Sequence, residues 1–252
     1  MKKIIFLLLF LPLMLNAQLK SVIYQDENQS LIGLVSKPTK AISTHPGILI
    51  LPSWMGISEH EKEVASKLSE LGYFTFIADI YGEGNYPTNT QEAGQQAGYY
   101  KNNVVDYQRR IQLALNQLIT TGANKNKIVV IGYCFGGTGA LEAARSNLDV
   151  VGVVSFHGGL GKDEKRDDAQ IKAKVLVLHG ADDPYVSEKE IAQFQEEMRT
   201  SKADWQMIYY ANSVHSFTNK NAGNDNSKGA AYNELADKRS FAHFLNFIQE
   251  IL

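Results

Sequence analysis

The chain of 252 residues is 44% hydrophobic and 21% charged, which excludes a disordered or collagen-like polymer and fits one large α/β domain. Its formal net charge of −2 leaves no basic excess to neutralise phosphates, so nucleic-acid binding is not expected. The single cysteine, Cys134, excludes an internal disulfide framework and a cysteine-rich zinc site.

Residues 1–17, MKKIIFLLLFLPLMLNA, stand apart. Lys2 and Lys3 precede an apolar run from Ile4 to Leu15, interrupted by Pro12, and the segment closes on the small residue Ala17. This is the pattern of a cleaved secretory signal peptide, and the run falls short of the roughly 20 residues that span a bilayer. The expectation is a periplasmic or secreted protein with no stable membrane anchor, in which 18–252 form a single domain.

Ser21–Tyr24 and Leu31–Val35, separated by a polar turn, predict an antiparallel edge hairpin. Gly47–Pro52 (GILILP) is a continuous apolar run suited to a strand buried on both faces. Ser58 with Glu61 predicts a capping box opening a helix to Leu71, which Gly72 stops. Tyr73–Asp79 is the next strand, and a polar loop with Gly82, Gly84 and Pro87 follows. A helical segment covers Glu92–Ile119, with a break expected near Gly98. Lys127–Ile131 is a buried strand, followed by a helix over Gly137–Arg145. Val150–Phe156 and Lys174–His179 are strands. Ser187 with Glu190 predicts a second capping box and a helix to Thr200. Trp205–Tyr210 is the last strand. Asn219–Lys228 (NKNAGNDNSK) is the most polar stretch and is expected to be a mobile surface loop. Ala230–Leu252 is a final amphipathic helix. Alternation of this kind predicts an α/β fold with a mostly parallel central sheet and helices on both faces.

The strongest local signal is Gly132-Tyr133-Cys134-Phe135-Gly136-Gly137, fed by the strand residues IVVI and followed by helix-compatible sequence. A nucleophile elbow needs this context, because the tight turn tolerates only small residues two before and two after the nucleophile. The thiol would sit at a helix amino terminus, where the dipole favours a thiolate, with the N–H of Phe135 beside it. The alternative is a buried, inert cysteine at a packing turn. A thiol nucleophile also needs a base and an orienting acid. Asp182 and Asp183 follow the strand KVLVL, and His215 follows the strand WQMIYY, so all three groups fall on one rim of the sheet. Turn chemistry before Pro184 and a solvated loop histidine are the plain alternatives. His60, His157, His179 and His243 carry less weight, although His157, beside Gly158-Gly159, could face the site. No pair has metal-binding spacing, so no metal is expected.

With these pieces in place the sequence resembles the dienelactone hydrolase family of α/β hydrolases, from about Pro46 to the end. GYCFGG resembles its cysteine elbow, HGADDPYV its acid loop, HSF its histidine loop and ADIYGEG its tyrosine–glycine segment. The resemblance implies an α/β-hydrolase fold and a catalytic triad of Cys134, Asp183 and His215. It also implies an oxyanion hole from the N–H groups of Phe135 and Trp54, no cofactor, and a monomer that cleaves a small carboxylic ester or lactone. Two positions depart from the family pattern: Ser53 stands where a glutamate is usual, and Asn219 where an arginine would clamp a substrate carboxylate. No arginine precedes Arg109. A neutral substrate is therefore expected, in a pocket drawn from Ser53, Trp54, Tyr81, Tyr86, Tyr99 and Phe217. The competing expectation is a secreted binding module that keeps the fold without turnover.

Overall fold

The computed structural model describes residues 19–252; the expected signal peptide lies outside the described residues. Eight strands form one sheet in the order β1-β2-β4-β3-β5-β6-β7-β8. β1 (Lys20–Asp26) and β2 (Gln29–Ser36) make the expected antiparallel hairpin at one edge. β2 joins β4 (Phe74–Ile77) antiparallel. From there β3 (Gly47–Leu51), β5 (Ile128–Tyr133), β6 (Gly152–Phe156), β7 (Lys174–Gly180) and β8 (Trp205–Tyr210) run parallel.

Every residue of β3, β4, β5 and β6 is buried, which is why these strands read as largely apolar runs, with Thr75 and Ser155 the buried polar exceptions. Two cores result. On one face α1 (Glu59–Glu70) and α6 (Glu234–Ile251) pack Val64, Leu68, Phe244 and Phe247 against Ile48, Ile50 and Ile131. On the other, α2 (Thr90–Asn102), α3 (Val104–Thr120), α4 (Phe135–Arg145) and α5 (Glu188–Thr200) cover Leu49, Val130 and Val153. Among the described residues no helix is long and apolar enough to cross a membrane.

Several boundaries differ from expectation for local reasons. The break in the long helical segment falls at Asn103, not Gly98. Asn103 leaves helical geometry (φ −117°, ψ 63°), and both its backbone N–H and its Nδ2 donate to Tyr99 O. Gly98 costs helix propensity but keeps its hydrogen bonds. The Ser58–Glu61 capping box is complete. The second is only half formed: Ser187 accepts from Glu190 N, but the Glu190 carboxylate turns away to accept from Leu160 N (2.6 Å) and Gly161 N (2.9 Å). α6 starts at Glu234, capped by Asn233, because Gly229 and Ala231 bond to His215 instead. For the same reason Asn219–Lys228 is not the free loop expected. It holds two 3-10 turns, Lys220–Ala222 and Asn226–Lys228, and is closed by Tyr232 N–H donating to Gly223 O and Asn226 Nδ2 to Asn212 O.

The loop after β6 is clamped from below. Arg145, buried in α4, bonds Glu197 through Nε and Nη2 (both 2.8 Å) and Glu142 through Nη1 (3.0 Å). It also donates to the carbonyls of Leu160 (2.7 Å) and Gly161 (3.2 Å). Removing one member of such a network strands buried charge. Arg145→Met is expected to destabilise the protein by about 3–5 kcal/mol, read as a lower urea midpoint at unchanged slope.

Candidate active site

The strand ends bring the site together. β5 runs into α4 through one residue, Cys134, held at φ 55° and ψ −115°. A Cβ on Gly132 would overlap the backbone of Gly136, and one on Gly136 would overlap Leu51 O, at the end of β3. Helix α4 therefore begins at Phe135 rather than Gly137, with no intervening loop. This close approach also lays the Ser53-Trp54 segment beside the elbow.

His215 reaches the elbow from the loop after β8, and Asp183 from the loop after β7. His215 Nε2 lies 3.0 Å from Cys134 Sγ, and His215 Nδ1 lies 2.9 Å from Asp183 Oδ2. The Asp183 side chain is fully shielded, and its Oδ1 accepts from Tyr185 N at 2.9 Å. Asp182 is exposed and contributes its backbone N–H to Ser213 O, stitching the two loops together. Cys134 retains partial exposure.

The charges reinforce one another. Burial pushes the Cys134 thiol up. The hydrogen bond and charge of His215, the N–H of Phe135 and the charge of Lys101 push it down, and the downward causes prevail. Burial pushes His215 down, but Asp183 and the sulfur outweigh it and raise the imidazole to about 10. Each group thus favours the charged form of the other, the thiolate and the imidazolium.

Phe135 is held by stacking on Tyr107 at 4.6 Å and by its carbonyl accepting from Tyr107 Oη at 2.9 Å. Among the described residues Trp54 N–H donates to no protein acceptor. Two neighbours fix its segment: Tyr81 Oη donates to Trp54 O (2.8 Å), and Ser53 N–H donates to the buried Glu61 carboxylate (3.2 Å).

The other pocket candidates divide. Trp54 is 37% exposed and leans on α2 near Gly94. Tyr81 lies under the elbow against Phe135. Tyr86 and Tyr99 are exposed, with their hydroxyls committed to Asp79 and Asp106 (both 2.7 Å). Phe217 is no pocket wall: it is fully buried in the core against His157 and Tyr210. Asn219 caps a 3-10 turn by accepting from Asn221 N.

Two residues, Tyr185 and Lys101, escaped the sequence reading, and His157, which could face the site on sequence grounds, does so. Tyr185 sets its ring edge-on to His215, 5.3 Å away. Its place in HGADDPYV was visible but carried no chemical signal. His157 touches the backbone of Cys134, whose N–H donates to its Nδ1 at 3.2 Å. Lys101, at the end of α2, makes no ion pair among the described residues, yet its charge acts on Cys134. It lines a cavity of about 240 Å³ with Val104, Tyr107, Thr138, Gly159 and Glu190. Cys134 does not line this cavity, but Thr138, one helical turn on, does. Lys162 and Arg166, the latter paired with Glu142, line the same cavity.

A family model, the dienelactone hydrolase family, matches residues 31–252. The chain belongs to the dienelactone hydrolase family. The match begins before Pro46 and takes in most of β2. Among solved structures, a dienelactone hydrolase-like promiscuous phosphotriesterase from metagenomic libraries is similar at 33% identity and TM-score 0.86. That likeness covers 93% of this chain and 98% of the other. An uncharacterized protein of Caenorhabditis elegans is 34% identical over 56% of this chain and 91% of its own length. A probable 2-oxo-3-(5-oxofuran-2-ylidene)propanoate lactonase of Bradyrhizobium is 25% identical over 68% of this chain and 73% of its own.

The charge pair makes a measurable prediction. Alkylation of Cys134 by iodoacetamide should stay fast as pH falls below the ordinary thiol value of about 8.5. His215→Ala should restore an inflection near that value; identical profiles for the two proteins would show that His215 does not ionise the sulfur.

Proposed function

We propose that this protein, a family hydrolase acting on esters or lactones, cleaves its substrate through Cys134 as nucleophile, His215 as proton carrier and Asp183 as the group that orients and charges the imidazole. The observation that carries this reading is the unbroken contact series from Asp183 Oδ2 through His215 to Cys134 Sγ, with 2.9 Å and 3.0 Å spacings. Direct contact between imidazole and sulfur means that no glutamate at position 53 is needed to generate the thiolate.

In the proposed cycle the Cys134 thiolate attacks the ester carbonyl carbon. The oxyanion is received by the N–H groups of Phe135 and Trp54. His215 gives its Nε2 proton to the departing alkoxide, leaving an acyl thioester and a neutral imidazole. Water then attacks the thioester as His215 takes one of its protons. The tetrahedral species collapses to the carboxylic product and the thiolate, and the charge pair is restored. Amides fit less well, since an amine leaving group demands more of the proton donor. We further propose, from the residue 1–17 pattern, that the protein works after export.

The substrate panel follows from the chemistry and the relatives: activated aryl esters, small lactones and one phosphotriester. Cys134→Ala should abolish ester turnover and acyl trapping on the protein; full turnover in that variant would remove Cys134 from the mechanism. Lys101→Met should raise the pH of half-maximal alkylation by less than about one unit, as expected of a solvent-screened charge. An unchanged midpoint would show that Lys101 does not act on the sulfur.

A further inference from the structure

Tyr133 in β5 pairs with Phe156 in β6, so the next residue of each strand, Cys134 and His157, emerges at the same level of the sheet. Both carry positive φ, 55° and 40°. The elbow explains the first. Nothing in the three-residue contact series requires the second, and such a conformation is uncommon outside glycine.

His157 is 2% exposed, and both of its ring nitrogens are engaged. The Cys134 N–H is shared between Phe156 O (3.0 Å) and His157 Nδ1 (3.2 Å). His157 Nε2 lies 2.9 Å from Thr218 Oγ1, itself buried, and Thr218 Oγ1 lies 3.5 Å from His60 Nε2. An Nδ1 that accepts cannot carry a proton, so the ring is the neutral Nε2–H tautomer and donates to Thr218. Its environment agrees with that assignment. Burial, and then the charges of His215 and His60, hold it well below the usual histidine range. The ring also stands edge-on to His215 at 5.3 Å. A charged ring there would oppose both the Cys134 N–H and the His215 imidazolium.

We infer that His157 is a positioning residue: its neutral Nδ1 holds the backbone amide of Cys134 and so aims the sulfur at His215 and the Phe135 N–H at the reacting centre. The inference rests on Cys134 being the nucleophile, as proposed above.

Three substitutions separate the acceptor from the backbone strain and from the Thr218 contact. Asparagine tolerates positive φ and places an amide oxygen near the Nδ1 position. Glycine tolerates positive φ and offers no acceptor. Glutamine places its amide near Nε2, toward Thr218. The readouts are the pH profile of Cys134 alkylation and the split between kcat and KM for an aryl ester. His157→Gly and His157→Gln should each lower kcat by about tenfold at similar KM, the factor carried by one neutral hydrogen bond. Both should also move the alkylation midpoint upward. His157→Asn should recover most of that loss. Recovery by glycine would assign the effect to backbone strain, and recovery by glutamine alone would assign it to Thr218; either overturns the inference. Wild-type kinetics in all three variants would overturn it as well. If instead Cys134→Ala keeps its turnover, it is the nucleophile assignment that has failed, and the two failures are distinguishable.

Discussion

Both nitrogens of the His215 ring are engaged, one by a shielded carboxylate and one by sulfur. A carboxylate on one side and a sulfur on the other both favour an imidazole carrying two protons. Much of the surrounding structure is consistent with keeping this pair charged. The amino terminus of α4 and the Phe135 N–H favour the thiolate. Lys101 adds a cation on one side, and buried His157 stays neutral on the other. Tyr185 sets its ring edge-on to the imidazole while its backbone N–H satisfies the remaining Asp183 oxygen.

The pair is formed at the cost of local strain. Cys134 sits at positive φ because α4 must start at once, and α4 can start at once only where Gly132 and Gly136 allow backbone to touch backbone. The same contact sets the end of β3 against the elbow, so the Trp54 N–H is placed by the packing that creates the turn at Cys134. Glu61 has two tasks: it completes the cap of α1, and it anchors the Ser53 amide. The buried Arg145 network and Glu190 perform the corresponding service for the loop after β6.

The fold was readable in the sequence because its central strands are buried on both faces and its helices are capped by local chemistry. The order Cys134, Asp183, His215 was readable for a related reason: each follows a strand, and parallel strands deliver their ends to one rim. What escaped was set by contacts distant in sequence. Phe217 looked like a rim aromatic but turns into the core beneath His157. Glu190 looked like the second half of a capping box but was captured by amides of the loop after β6. Asn219–Lys228 looked free because it is polar, yet its closing segment at Gly229 and Ala231 pairs with His215. Lys101 gave no motif at all; only the packing of α2 on α3 brings it to the cavity that Thr138 of α4 also lines.

The charge state of His215 is the account's central claim, and nitrogen-15 NMR of the ring reads it directly. At pH 7 both ring nitrogens of His215 should show the protonated shift, and alkylation of Cys134 should lower the pH at which the second proton is lost. A His215 that is singly protonated at pH 7 and indifferent to alkylation would contradict the account.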